Sequence, residues 1–413
     1  MSAATFLVLA GGFVFLAYVT EGFLEKLKVP PVLVLMAAGL IMGPVTGWLP
    51  AERFRDVAPH FGSLAFLLIL LEGGLDLQLE EVQRGLKKGL ALAFRAFGLA
   101  VVGVAAFLIL VGRPWREALL LAVALAPVSG SIVLPLVGRL PVGQGVRTLA
   151  TLEAAVADVM ALLTMEAALT LLERGGWGSL VALGSLMAAL FSVVLAVICG
   201  LLWPPFLRRL GHVPHADVLT FALAMLLWGL VELPGASGAL AVLTFGLVMA
   251  NEREVLELLG FPSRVTADIA EATVARLHRF IQQLTFLVRT FFFVFLGVVV
   301  SRRGFSAPVL LTAVGAWLWL VLSRYWLFFR SKHLGEGLEA WERKLLWLLQ
   351  PRGLVSAVLA LVATDAGYGS TWFLPVTSGV IVLSNLVLIV ALKQRPPSSP
   401  GGSPGGSSRS DSP

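Results

Sequence analysis

Cysteine and charge are the two things this chain has little of. One residue in 413 is cysteine, Cys199, so an internal disulfide is impossible and no multi-cysteine metal site can form. Only 14% of residues are charged, where a soluble chain needs about 25% to clothe its surface. No zinc spacing, phosphate-binding loop, nucleotide fingerprint or nucleophile–base pair occurs, so nothing points to an enzyme or to a cofactor. What is abundant is apolar surface: 58% of residues are hydrophobic and the mean hydropathy is +0.89. Repeated apolar runs of about 20 residues, broken by short basic or Pro/Gly segments, identify an all-α membrane protein that crosses the bilayer many times. The net charge of +6 is accounted for by basic loops facing anionic lipid, with no nucleic-acid partner.

About thirteen spans are expected, from residues 4–25 through 116–139, 147–172 and 343–364 to 371–392. The first run lacks a basic leader, and Glu21 and Glu25 follow it where a cleavage site would stand, so it reads as a span rather than a signal peptide. An odd number of spans puts the two ends on opposite sides. With the N-terminus outside, cytoplasmic loops collect roughly 19 Lys and Arg and external loops roughly 7. The expected placement is the cell (inner) membrane, with the C-terminus in the cytoplasm. If the chain is two inverted halves joined by the seventh span, residues 1–394 divide into a first repeat (1–172), a linker helix (173–212) and a second repeat (213–394). Residues 252–280 are charged yet periodic, which predicts a surface-lying amphipathic helix between two spans. The tail, 395–413, is rich in Pro, Gly and Ser and is expected to be a disordered cytoplasmic extension.

Two spans contain breaks. The fifth carries Ala126-Pro127-Val128-Ser129-Gly130-Ser131, and the twelfth carries Gln350-Pro351-Arg352-Gly353. Such residues at membrane depth free backbone groups, which persist only where they line a cavity. Paired interruptions at matching positions of two halves are a transporter's signature for its substrate site.

Acidic residues at membrane depth mark the chemistry. Each costs about 2.5–3.5 kcal/mol at the centre of a membrane helix, and span 147–172 carries Glu153 and Asp158. Asp158 has no basic neighbour in its own helix. Burial disfavours its charged form and a bound cation favours it, so a proton and an alkali cation compete for one carboxylate. Glu153 lies five residues earlier, about 140° around the helix, and therefore points elsewhere. It is expected to face a fixed cation, Arg352 at the second break, as a structural ion pair, the alternative being a direct transport ligand. Glu72, followed by Gly73 and Gly74, is either part of the cation's shell or an interfacial carboxylate reaching water. Ser129 and Ser131 offer hydroxyl oxygens to a dehydrated alkali cation, or satisfy backbone carbonyls instead. Arg324 and Arg289 either pair with a carboxylate or snorkel to the interface. His212 and His215 flank Pro214 in a loop.

These pieces together resemble the monovalent cation/proton antiporter superfamily, in its prokaryotic sodium/proton exchanger form. Leu152-Glu153 to Asp158 is similar to the family's Glu-Ser-x-x-x-Asn-Asp segment. Gln350-Pro351-Arg352-Gly353-Leu354-Val355-Ser356-Ala357 is similar to its Leu-Arg-Gly-Ala-x-Ser segment. Leu71-Glu72-Gly73-Gly74-Leu75 resembles the end of the third helix, and Ser237-Gly238-Ala239-Leu240-Ala241 to Gly246-Leu247-Val248 the ninth. The resemblance implies thirteen helices in two inverted repeats, two crossed broken helices, a homodimer and elevator-type movement. It also implies Na⁺ or K⁺ and H⁺ as substrates, alternating on Asp158, with Glu153 paired to Arg352 and Glu72 near the ion.

The departures matter as much. Val128-Ser129-Gly130 stands where the family has Thr-Asp-Pro, and Ala154 replaces a serine. Ala157 replaces the Asn or Asp before the key aspartate, so no second carboxylate adjoins Asp158 and an electroneutral exchange of one cation for one proton is expected. A cation channel and a sodium-coupled organic-anion carrier on a related fold are the alternatives; the broken helices oppose the first and the buried acids oppose the second.

Overall fold

Backbone polar groups in hydrocarbon must bond within their own segment, so apolar runs of this kind fold as helices. The computed structural model describes residues 3–27, 29–49, 58–76, 79–140, 142–173, 179–209, 215–260, 267–299, 306–330, 338–369 and 371–392, and no strand occurs among them. The first half comprises α1 (Ala3–Leu27), α2 (Pro31–Leu40) with a π-helical continuation (Ile41–Val45), α3 (Ala58–Asp76), α4 (Leu79–Leu110), α5 (Trp115–Leu125), α6 (Gly130–Arg139) and α7 (Gln144–Glu173). After α8 (Ser179–Arg209) come α9 (Ala216–Glu232), α10 (Gly238–Ala250), α11 (Glu252–Leu258), α12 (Ala267–Val299), α13 (Ala307–Phe329), α14 (Ala340–Leu348), α15 (Leu354–Asp365) and α16 (Phe373–Leu392). Six of the described helices are long and apolar enough to cross a bilayer unaided. The expected fifth and twelfth spans are indeed built from two half-helices each, α5 with α6 and α14 with α15.

Packing repeats between the halves. α3 lies along α10 as α12 lies along α2; α4 packs on α7 as α13 packs on α16; and α4 meets α13 between them. The first two contacts are made the same way. A Cβ on Gly74 would strike the Leu243 carbonyl, and one on Gly246 the Leu71 carbonyl. Gly39 and Gly297 stand in the same relation to the carbonyls of Val294 and Met36. Small residues bring membrane helices close enough for backbone-to-backbone packing where no hydrophobic force separates helix from lipid.

The surface helix expected over 252–280 is two pieces instead. α11 ends at Leu258, and Gly260 takes a left-handed conformation at φ +78°. α12 then begins at Ala267 and runs 33 residues into the next span without interruption. At 1.5 Å per residue that is about 50 Å, more than the hydrocarbon thickness, so its charged first turns project beyond it. The tail at 395–413 and His212 lie outside the described residues.

Candidate functional site

The two interrupted spans cross at their breaks. Ser129 N donates to Pro351 O at 2.9 Å, tying one break to the other. The remaining freed groups find side chains from the last helix of each half. In the first, Gly130 N donates to Asp158 Oδ2 at 3.2 Å. In the second, Arg352 N donates to Ser384 Oγ at 3.0 Å, and Asn385 Nδ2 donates to Arg352 O at 2.9 Å. The N-terminus of α6 therefore points at Asp158, adding the favourable field of a helix N-terminus to one charge-assisted hydrogen bond. Asp158 Oδ1 is buried and has no partner.

Asp158 borders a cavity of about 280 Å³. Glu72, Gly73, Asp76, Gly130, Thr285 and Arg289 share its wall. Glu72 and Asp158 thus line one cavity. The pair of glycines after it divides its labour, because Gly74 receives α10 while Gly73 has open space around its Cα. Asp76, four residues on, is bonded by His278 Nε2 at 2.7 Å.

Glu153 faces the other way, as the 140° separation predicts. It lines a closed gap of about 10 Å³ with Arg324 and Arg352, too small for more than about one water. Here the structure corrects the expected pairing. Both ends of the Arg324 guanidinium fork donate to Glu153, Nη1 to Oε1 and Nη2 to Oε2, the latter at 2.8 Å. Arg324 Nε donates to Leu346 O at 2.9 Å. Arg352 is not the bonded partner; its Nε and Nη1 are buried without one. The reason is geometric. Arg352 belongs to the break itself and its backbone is engaged by α16, whereas Arg324 projects from the last two turns of α13 with its fork free to match a carboxylate. Arg352 nevertheless feels the charges of both Glu153 and Asp158.

Ser129 sits at the crossing of the two breaks. It is buried at the crossing with its hydroxyl turned toward Gly353, and it is not on the wall of the Asp158 cavity. The group that reaches Asp158 is the neighbouring backbone amide of Gly130. The side chain of Ser131 lies outside the described residues. Arg289 lines the cavity.

A second cavity, of about 240 Å³, lies on the far side of Leu162 and contains Glu166, Glu232, Ser63 and Trp228. Leu162, 3% exposed, borders both cavities. Asp158, Leu162 and Glu166 are four residues apart in turn and occupy one face of α7. Sequence reasoning missed three features here. The Ser384-Asn385 pair was visible as a polar step in an apolar span; the Glu72–Asp76 spacing placed both acids on one face of α3; the Arg324–Glu153 pairing carried no local signal.

Comparison with known proteins gives the family and the fold. The family pattern described as sodium/hydrogen exchanger, transmembrane, matches residues 11–393. The chain is 24% identical over 381 residues to Na(+)/H(+) antiporter 1 of Methanocaldococcus jannaschii, covering 86% of this chain and 83% of that one. A structure of the sodium proton antiporter from the same organism at pH 8 superposes with a TM-score of 0.73 at 20% identity, covering 95% of this chain and 96% of that one. An electron-microscopy structure of that antiporter gives 0.64 at 21% identity, covering 95% of each. The fold is shared with both.

Proposed function

Since the chain belongs to the sodium/hydrogen exchanger family and is a multi-pass membrane cation/proton antiporter, we propose that Asp158 is the group on which its two substrates alternate. The observation that carries this reading is the division of labour between the two oxygens of Asp158. Oδ2 is held by the Gly130 amide, and Oδ1 is left without a partner in a residue that borders the cavity. One free carboxylate oxygen holds either a proton or an alkali cation, and each excludes the other.

Ala157 leaves Asp158 without an adjoining carboxylate, so one cation moves for one proton and the cycle is electroneutral. The cation is Na⁺ or K⁺. Alanine at 154 and 157 makes the oxygen shell sparse, which suits the more easily dehydrated K⁺ as well as Na⁺. Leu162 is the barrier between two access cavities, and the present state is open on the side of Gln282 and the charged turns of α12, the cytoplasmic side by the distribution of Lys and Arg. The transport unit is α4–α7 with α13–α16, carried past the layer of α2, α3, α10 and α12 as an elevator. The exposed apolar residues of α1 and α8, such as Phe15, Met187 and Val194, are where a homodimer would form. A channel would need a continuous path, which Leu162 interrupts.

The test is relaxation of a pH gradient in proteoliposomes on addition of Na⁺, K⁺ or Li⁺. Wild type is expected to collapse the gradient and Asp158→Asn to leave it standing. An Asp158→Asn variant that exchanges at the wild-type rate would remove Asp158 from the role.

A further inference from the structure

The cavity before Asp158 carries more charge than exchange of one monovalent cation needs. Glu21, Glu72, Asp76 and Asp158 all line it, and Arg289 is the only arginine or lysine among its described lining residues. Two or three clustered carboxylates are a setting that favours a divalent cation over Na⁺ or K⁺. Glu21 is exposed and screened by solvent. Asp76 has its own partner in His278. Glu72 shares the cavity wall with Arg289 on α12, the cationic side chain nearest to hand for it there.

Arg289 is placed to do this without being locked. Gln282, Thr285, Phe286 and Arg289 recur at helical spacing and give one face of α12 to the cavity. Arg289 Nε is buried without a hydrogen-bond partner, and Thr285 shares the cavity wall with Glu72. The contrast is with Arg324, whose Nε, Nη1 and Nη2 are all engaged.

We propose that Arg289 is a specificity-determining residue. It is a tethered cation that cancels the charge of Glu72, keeps Asp158 as the one unbalanced carboxylate of the cavity, and so admits monovalent cations while turning divalent ones away. The proposal rests on Asp158 being the carrier. It assigns Glu72 to Arg289 rather than to the travelling ion's shell.

The experiment uses the purified full-length chain, with binding of NaCl, KCl and MgCl₂ followed by calorimetry and exchange followed in proteoliposomes. Arg289→Gln is expected to bind Na⁺ more tightly by about tenfold, the scale of one unit charge acting through partly hydrated protein, and to become inhibited by Mg²⁺. Arg289→Lys retains the charge and should keep the wild-type selectivity. Glu72→Gln leaves Arg289 unbalanced and should weaken Na⁺ binding, and the Glu72→Gln/Arg289→Gln double variant should return to near the wild-type value. A folded Arg289→Gln variant with unchanged Na⁺ affinity and no response to Mg²⁺ overturns the proposal while exchange on Asp158 stands. An Asp158→Asn variant that binds Na⁺ as well as wild type overturns the carrier assignment and the proposal with it.

Discussion

Arg324 grips both oxygens of Glu153 from across the bundle, while Arg352, the nearer residue by motif, lies beside the pair without a hydrogen-bond partner for Nε or Nη1. Arg324 is 5% exposed and Glu153 2%, so the pair is fully withdrawn from water. A buried pair of this kind stabilises little relative to apolar residues, but removing one member strands the other. Arg324→Ala and Glu153→Gln should each lower stability by about 3–5 kcal/mol. The double variant should lose less than their sum, and Arg352→Ala should lose less than Arg324→Ala. Melting of the detergent-solubilised protein in a double-mutant cycle measures this, and additive losses would contradict it.

The second break depends on Asn385 as the first depends on Asp158. Asn385→Ala removes the donor to the Arg352 carbonyl and leaves that buried oxygen unsatisfied. A loss of about 1–3 kcal/mol is expected. The same melting assay reads it, and a variant as stable as wild type would show that water replaces the amide.

Glycine packing between halves sets a third expectation. Gly246→Ala puts a methyl group against the Leu71 carbonyl, where backbone cannot withdraw as a flexible side chain would. The strain should be about 1–3 kcal/mol or more, and it should reduce exchange as well, since α3 carries Glu72. Full stability in this variant would mean that α3 and α10 have room to separate.

Leu162 is expected to act as a septum. Leu162→Ala removes most of the side chain separating the cavity of Asp158 from that of Glu166. Vesicles bearing the variant should show a cation-independent proton leak, measured as decay of an imposed pH gradient without added Na⁺ or K⁺. Tight vesicles would place the barrier elsewhere.

Much of this arrangement is legible in the sequence because membrane depth leaves few explanations for a charge or a helix break. The half-helix pairs follow from Pro127 and Pro351, and the divergence of Glu153 from Asp158 follows from five residues of helix. Partner choice across the bundle is another matter. Arg324 and Arg352 are both buried cations within reach of Glu153, and only the packing of α13 against its neighbours decides which fork meets the carboxylate. Ser129 offers a hydroxyl by residue type, yet it packs close against Gly353 at the crossing, and the group that reaches Asp158 is the backbone amide of Gly130. Backbone donors leave no trace in residue identity. The continuous run of α12 was hidden for a related reason, because its charged first half and apolar second half read as different environments along one helix.

Competition at one oxygen has a direct signature. In weakly buffered detergent solution, at a pH where Asp158 is protonated, binding of Na⁺ or K⁺ should release close to one proton per cation, and raising the pH should tighten apparent cation binding by up to about tenfold per unit until the site is already deprotonated. Asp158→Asn should release none. Cation binding that releases no proton from wild type, or the same number from wild type and Asp158→Asn, would contradict the account.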